Sequence, residues 1–307
     1  MWFNNAIVFQ YELEEAADLN ELLAHERLKP CPPHARSVTG WMPAFADELV
    51  MEIAGCALFC MGREERILPR GVINRLLAER IEALEAQQGR RVKRAEKAQM
   101  AEDLEFELLP KSFCVQKKMQ AFLDTSAKRL VVNTASGKQA SQLMALLRKT
   151  IPGIRFEPLH IPDTLAQRFA AWLNDPSTLP ANFALAADCQ LFALDNEKKR
   201  FSCKGCELPA DEVLALLDKG LAASEVSLIW NERVQFSLTT DLTLKRLKCL
   251  DYLVDEFSEI RELEEEYLQR DAELALLSGE LRSLVNALLA GLTDTATETA
   301  VPEEAVV

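Results

Sequence analysis

The segment from Pro69 to Leu108 carries apolar residues at helical spacing, and a helix of that length restricts how the rest of the chain can fold around it. At 100° per residue, Ile73, Leu77, Ile81, Leu84, Gln88, Val92 and Ala95 fall within an arc of roughly 100°, the width of one packing stripe. The basic residues Arg90, Lys93, Arg94 and Lys97 fall on the opposite side. One long helix is therefore expected, packed along one face and positive along the other. Like charges at i,i+4 (Arg90 with Arg94, Lys93 with Lys97) cost a few tenths of a kcal/mol per pair, a repulsion that an anionic partner would relieve. An ordinary solvated helix face is the competing reading. Gly89 interrupts the pattern at a cost of about 1 kcal/mol relative to Ala, so a weak point or bend is expected there.

The rest of the chain reads as mixed α and β. Ala6 to Tyr11 has strand character, and Leu13 to Leu23 has helical spacing that ends before Pro30-Cys31-Pro32-Pro33. Further strands are expected at 56–61, 121–124 and 129–134, with helices at 137–149, 163–174 and 209–219. Val226–Trp230, Arg233–Leu238 and Leu242–Leu247 are separated by short turns and predict a three-stranded meander. Long acidic helices are expected after residue 251, and a disordered Thr-, Ala- and Glu-rich tail from Thr293. The expected organisation is a central α+β region in two parts, 1–68 and 119–250. A basic long-helix projection at 69–118 is inserted between them, followed by an acidic helical region at 251–292 and the tail at 293–307. No internal repeat is evident.

The 307 residues, 49% of them hydrophobic, are enough for one substantial core or several small ones. No run of 18 consecutive apolar residues exists, and Met1-Trp2-Phe3-Asn4-Asn5 lacks the basic start and apolar stretch of a secretion signal, so a cytoplasmic location is expected. The net charge of −13 argues against a polyanionic partner until it is resolved along the chain. Residues 61–150 carry 18 basic and 11 acidic side chains, whereas residues 251–307 carry 3 and 15. With a Debye length of about 8 Å at physiological salt, distant acidic surface does not cancel a local basic one.

Eight cysteines are scattered through the chain, which fits a reduced compartment better than a disulfide framework. Cys203 and Cys206 have the C-x-x-C spacing of a zinc half-site or a redox pair. No second such pair exists, however, and there are only three histidines, His25, His34 and His160. Cys56 and Cys60 sit in an apolar run and read as buried packing. The catalytic patterns G-x-S-x-G, H-E-x-x-H and G-x-x-x-x-G-K-[ST] are absent, and Ala135-Ser136-Gly137-Lys138-Gln139 lacks the upstream glycine and the Ser or Thr of a phosphate loop. Glu264-Glu265-Glu266 is sequential and reads as a solvated face rather than a two-metal site. Neither enzymatic activity nor a cofactor is expected.

Several segments, taken in order, resemble the RdgC family. They are Met1-Trp2-Phe3, Arg63-Glu64-Glu65-Arg66-Ile67-Leu68-Pro69, Glu82 to Gln88 and Leu108-Leu109-Pro110-Lys111-Ser112-Phe113. Ala135 to Lys138, Leu146 to Lys149, Glu207 to Glu212 and Leu244 to Lys248 continue the series, so the similarity runs to about residue 290. The resemblance implies an elongated α+β subunit closing into a ring-shaped homodimer. Its positively lined hole would bind double- and single-stranded DNA without sequence preference, restrain RecA-type recombination, act in replication-fork repair and associate with the nucleoid. The departures are Asn4 in place of a basic residue, Gly89 in the basic helix, and Cys203, Gly205 and Cys206 in a run that usually bears Lys and Gln.

The expected DNA contacts are Arg63, Arg66, Arg75, Arg90, Arg91, Lys93, Arg94, Lys97, Lys111, Lys117, Lys118 and Lys204, with Arg246 and Lys248 on one face of a strand and Lys245 on the other. Phe113 is the expected dimer contact, with local packing under its loop as the alternative. A zinc or thiol protein using Cys203 and Cys206, or a coiled-coil adaptor that ignores DNA, remains the competing function at this stage.

Overall fold

A computed structural model describes residues 2–13, 18–161 and 165–294. The expected tail beyond Asp294 and part of the helix expected from Leu13 lie outside these residues. The chain divides into two compact units. Unit 1 comprises 1–16, 51–58 and 121–307, and unit 2 comprises 17–50 and 59–120. The expected basic projection at 69–118 falls inside unit 2, and the expected C-terminal helical region belongs to unit 1.

The strands are β1 (Asn5–Glu12), β2 (Ser37–Met42), β3 (Val50–Ile53), β4 (Cys56–Arg66), β5 (Cys114–Asp124), β6 (Arg129–Val132), β7 (Arg155–Pro158), β8 (Phe183–Ala193), β9 (Asn196–Lys204), β10 (Leu221–Trp230), β11 (Val234–Thr239) and β12 (Leu244–Cys249). The helices are α1 (Leu19–Ala24), α2 (Arg70–Gln88), α3 (Arg94–Leu108), α4 (Gly137–Thr150), α5 (Leu165–Asn174), α6 (Asp211–Asp218), α7 (Asp251–Arg261) and α8 (Glu266–Asp294). The class is α+β, built on antiparallel pairing.

Unit 1 is an antiparallel sheet ordered β6-β1-β12-β11-β10-β8-β9, with β7 also paired to β1. Alternation drives it: Ala6 and Val8 of β1, and Val234, Phe236 and Leu238 of β11, are buried at every second position. The predicted meander is present as β10–β11–β12. Asn231 and Glu232 between β10 and β11 both take positive φ (49° and 53°), the left-handed geometry that suits a tight hairpin to strand twist. The second faces of β10 and β11 are also covered, because Ser227 and Ser237 are buried and share a 2.6 Å hydrogen bond.

Both C-terminal helices carry more acidic than basic side chains, as expected after residue 251, but α8 is also a core helix. Its Leu274, Leu277, Leu281, Leu284, Val285, Leu288 and Leu292 recur every three or four residues and are all buried. By length and composition alone α8 could cross a bilayer. Its polar groups instead serve the core: Arg282 binds both carboxylate oxygens of the buried Asp124 (Nε–Oδ2 2.5 Å, Nη2–Oδ1 3.1 Å). Arg233, just after the β10–β11 turn, forks onto Glu256 of α7 (2.9 and 2.8 Å) and Glu280 of α8 (2.7 and 3.1 Å). Two helices are thereby fixed to one hairpin.

In unit 2, β2 pairs with the outer part of β4 from Ser37↔Glu65 to Met42↔Cys60, with Gly40 opposite Gly62. The glycines are there for space: a Cβ on Gly40 would stand 2.5 Å from Leu28 Cα. Leu28 N–H donates to Trp41 O and Trp41 N–H to Glu26 O (both 2.8 Å), so the chain at 26–28 lies along β2. Trp41 packs edge-on to Phe59 at 5.4 Å.

The single long helix expected over 69–108 does not form. The chain breaks at Gly89 and folds back as a helical hairpin of α2 and α3. Gly89 adopts φ +64°, the left-handed conformation that ends a helix at almost no cost only in glycine, and its N–H closes on Glu85 O at 2.9 Å. Glu85 then accepts Val92 N–H (2.8 Å), and Glu96 accepts Lys93 N–H (2.9 Å) to start α3. Of the predicted stripe, Ile73 and Val92 are buried, Leu77, Ile81 and Leu84 are half-buried, and Gln88 and Ala95 are exposed. Ile73 is the one buried residue of α2, and Leu104 that of α3.

β12 departs from the strict alternation expected of it. Gln235↔Lys248 and Ser237↔Lys245 leave Arg246 and Leu247 opposite Phe236 alone, which is a β-bulge. Arg246 takes φ +54°, and its N–H is held by Asn5 Oδ1 at 3.1 Å. The bulge breaks the alternation, so Lys245 and Arg246 reach the same carboxylate, Glu225, instead of pointing to opposite faces.

Candidate nucleic-acid interface

The break at Gly89 gathers cations that a continuous helix would have spread along its length. Arg90, Arg91, Lys93, Arg94 and Lys97 surround the α2–α3 turn, all exposed. Arg90 is already matched by a carboxylate: its guanidinium forks onto Glu96 (2.9 and 2.7 Å). The Arg90 hydrogen bonds, with the Lys93 N–H, pull the Glu96 carboxyl down to about 2. Lys93, Arg94 and Lys97 crowd the N-terminal end of α3, where the helix macrodipole is itself positive. Each cation there is unfavourable by roughly 0.3–1 kcal/mol unless an anion faces it. Glu96 is the only acid in that first turn.

The other expected contacts divide by environment. Arg75 pairs with Glu79 (3.5 Å), Lys111 with Glu107 (3.3 Å), Lys117 with Glu65, and Arg63 also with Glu65 (3.2 Å). The Lys117 hydrogen bond holds the Glu65 carboxyl below its ordinary range. Lys118, Lys204 and Lys248 are exposed.

Arg66 has a structural task. Its Nε donates to Pro32 O, Nη1 to Leu109 O and Ser112 O, and Nη2 to Cys31 O, all at 3.0–3.2 Å. Arg246 similarly spends Nη2 on Glu225 and on Ser237 Oγ (2.6 Å). Absent from the sequence-based expectation are Lys199, Arg200 and Phe201 of β9, where Phe201 is 44% exposed amid basic residues. The Lys-Lys-Arg-Phe run was the available signal, diluted by the acidic residues around it.

Phe113 is 85% exposed, while its carbonyl accepts the Ile67 N–H at 2.8 Å. The backbone is fixed, then, and the ring stands out from it. Ile67, Val72, Phe106 and Val115 of the same unit are also exposed, with Phe106 stacked on His34 at 4.0 Å. Among the described residues, no group of three or more His, Cys, Asp or Glu side chains could hold a metal ion.

Comparison with known proteins covers nearly the whole chain. A family model described as "Putative exonuclease, RdgC" matches residues 1–295. The recombination-associated protein RdgC of Proteus mirabilis (strain HI4320) is 32% identical over 296 residues, 94% of this chain and 97% of that protein. Its namesake from Pseudoalteromonas translucida (strain TAC 125) is 33% identical over 300 residues, 96% and 98% of the two chains. That of Yersinia pestis (strain Pestoides F) is 32% identical over 299 residues, 95% and 98%. With the family model spanning nearly every residue and relatives at this identity along their full lengths, the chain belongs to the RdgC family.

Proposed function

We propose that this protein binds double- and single-stranded DNA without sequence preference, as a ring-shaped homodimer, and restrains RecA-type recombination and acts in replication-fork repair by occupying the DNA. One observation carries the reading: in a chain of net charge −13, the cations Arg91, Lys93, Arg94 and Lys97 are collected on an exposed turn at a helix N-terminus. Such a turn favours phosphate through both its charges and its helix end. Family membership supports the recombination context, since the relatives are named as recombination-associated.

Lys118, Lys204 and Lys248 extend the contact set. Arg63, Arg75, Arg90, Lys111, Lys117 and Lys199 contribute less, because each meets a carboxylate. Arg66 and Arg246 act as clamps within the fold. Phosphate contacts of this kind position the protein without reading bases. Phe113 forms part of the homodimer contact, and nucleoid association follows from the DNA affinity.

The family model's description names an exonuclease. Binding is the proposed role, resting on the exposed cations gathered at the α2–α3 turn. Titrating the protein with random-sequence duplex and single strand over a salt series tests the reading. A steep, linear fall of log K with log salt on both is expected. A flat response, or preference for one sequence, rejects it.

A further inference from the structure

Cys203 and Cys206 lie at the end of β9, and their sulfurs are bonded to one another, with the two Cα atoms 6.3 Å apart. The loop between them is Lys204-Gly205. Gly205 adopts φ +64°, a conformation a side-chain-bearing residue reaches only with strain, and this lets the chain double back within two residues. Two hydrogen bonds hold the turn against β8 from outside the ring: Gly205 N–H to Asp188 Oδ1 (3.0 Å) and Cys206 N–H to Ala187 O (2.9 Å). These two hydrogen bonds keep the turn close enough to β8 for the sulfurs to meet, and the S–S bond adds the covalent fastening. Both cysteines are half-buried and within reach of a small thiol or oxidant.

The other six cysteines are free, and most are poorly placed to compete. Cys31, Cys56, Cys60 and Cys189 are buried. Burial pushes the thiols of Cys189 and Cys249 up to about 11 and also raises Cys56 and Cys60, so at neutral pH these stay protonated and unreactive. Cys189 stands directly opposite Cys203 across the β8–β9 pair, yet the bond is made to Cys206.

We propose that Cys203 and Cys206 form a reversible dithiol–disulfide site, oxidised by hydroperoxides and reduced by dithiols, that fastens and releases the segment joining β9 to α6. In the oxidative direction one thiolate attacks the peroxide, the O–O bond breaks, and an alcohol or water departs, leaving a sulfenic acid. The second thiol's sulfur attacks that sulfur and expels water, forming the S–S bond, so two electrons pass from the two thiols to the peroxide. In the reductive direction a thiolate of an external dithiol attacks one sulfur to give a mixed disulfide. Its second thiolate resolves this, releasing both protein thiols and leaving with the new disulfide. The proposal stands apart from the DNA reading and uses none of its contacts.

The test is cysteine counting on the full chain, poised in excess dithiol or in hydroperoxide, then denatured in acid and alkylated. Eight alkylated cysteines are expected after dithiol and six after peroxide, with peptide mapping placing the bond at 203–206 and dithiol restoring all eight. Amide exchange over 204–208 should quicken on reduction in the wild type and no longer respond to either reagent in Cys206→Ser or Cys203→Ser. Eight alkylated cysteines after peroxide, or a bond mapped to Cys189 or between subunits, overturns the proposal. So does stoichiometric zinc that blocks the oxidation.

Discussion

Replacing Arg91, Lys93, Arg94 and Lys97 together with Gln removes the cations at the α2–α3 turn that carry the DNA reading. It leaves Arg90 and Glu96 to hold the loop. All four side chains are exposed, so stability should be nearly unchanged. If each neutralises one phosphate, the slope of log K against log salt on duplex DNA becomes shallower by about 0.9 per contact, or about 3.6 for the set. Between 50 and 200 mM salt, about a fourfold change, the wild type should then lose about 150-fold more affinity than the variant. Arg90→Gln alone should shift the slope by well under one unit, because Arg90's charge is already met by Glu96. The assay is fluorescence anisotropy with two unrelated duplexes at several salt concentrations, with circular dichroism to verify folding. A folded fourfold variant with wild-type affinity and slope would refute the assignment and make the hairpin scaffolding. Loss confined to one of the two sequences would refute sequence independence.

Phe113→Ala removes a side chain that is 85% exposed, so the melting temperature of the subunit should hold while self-association in sedimentation equilibrium weakens; unchanged association would take Phe113 out of the interface. Arg233→Met leaves Glu280 and Glu256 without their common partner and should cost about 1–3 kcal/mol in urea denaturation, Glu256 being half-exposed to water. Its pH dependence has a definite sign: the Arg233 hydrogen bond depresses the Glu256 carboxyl, so the wild-type advantage is full above the unfolded Glu value of about 4.3 and fades as pH falls through the lower folded value. An advantage that grew on acidification would contradict that pairing. Gly40→Ala drives a Cβ into the Leu28 backbone, which cannot rotate away, and should destabilise unit 2 by about 1–3 kcal/mol; a neutral result in thermal melts would mean the 26–28 segment is free to move.

Much of this protein is legible in its sequence, where local pattern and burial agree. β1, the β10–β11–β12 meander and helices α4 to α6 follow from alternation, helical spacing and turn residues, because each buries the face its own pattern defines. The concentration of positive charge in 61–150 is equally a property of the chain, and Gly89 is visible as a weak point. What that weak point became was decided by side-chain bonds within a few residues of it, which periodicity does not show. A glycine can bend a helix or end it, and only the closing bonds from Glu85 and Glu96 select the left-handed stop that gathers the cations at a turn. Strand alternation likewise places Lys245 and Arg246 on opposite faces, but the buried Glu225 and the Asn5 side-chain oxygen that holds the bulge draw both to one side. Neither partner is near in sequence. Arg66 shows the same limit, since its charge is local information whereas the four carbonyls that consume its donors come from segments the fold brings together. Charge and periodicity are written residue by residue. Which charges remain available to a partner depends on distant groups, and only the folded chain decides that.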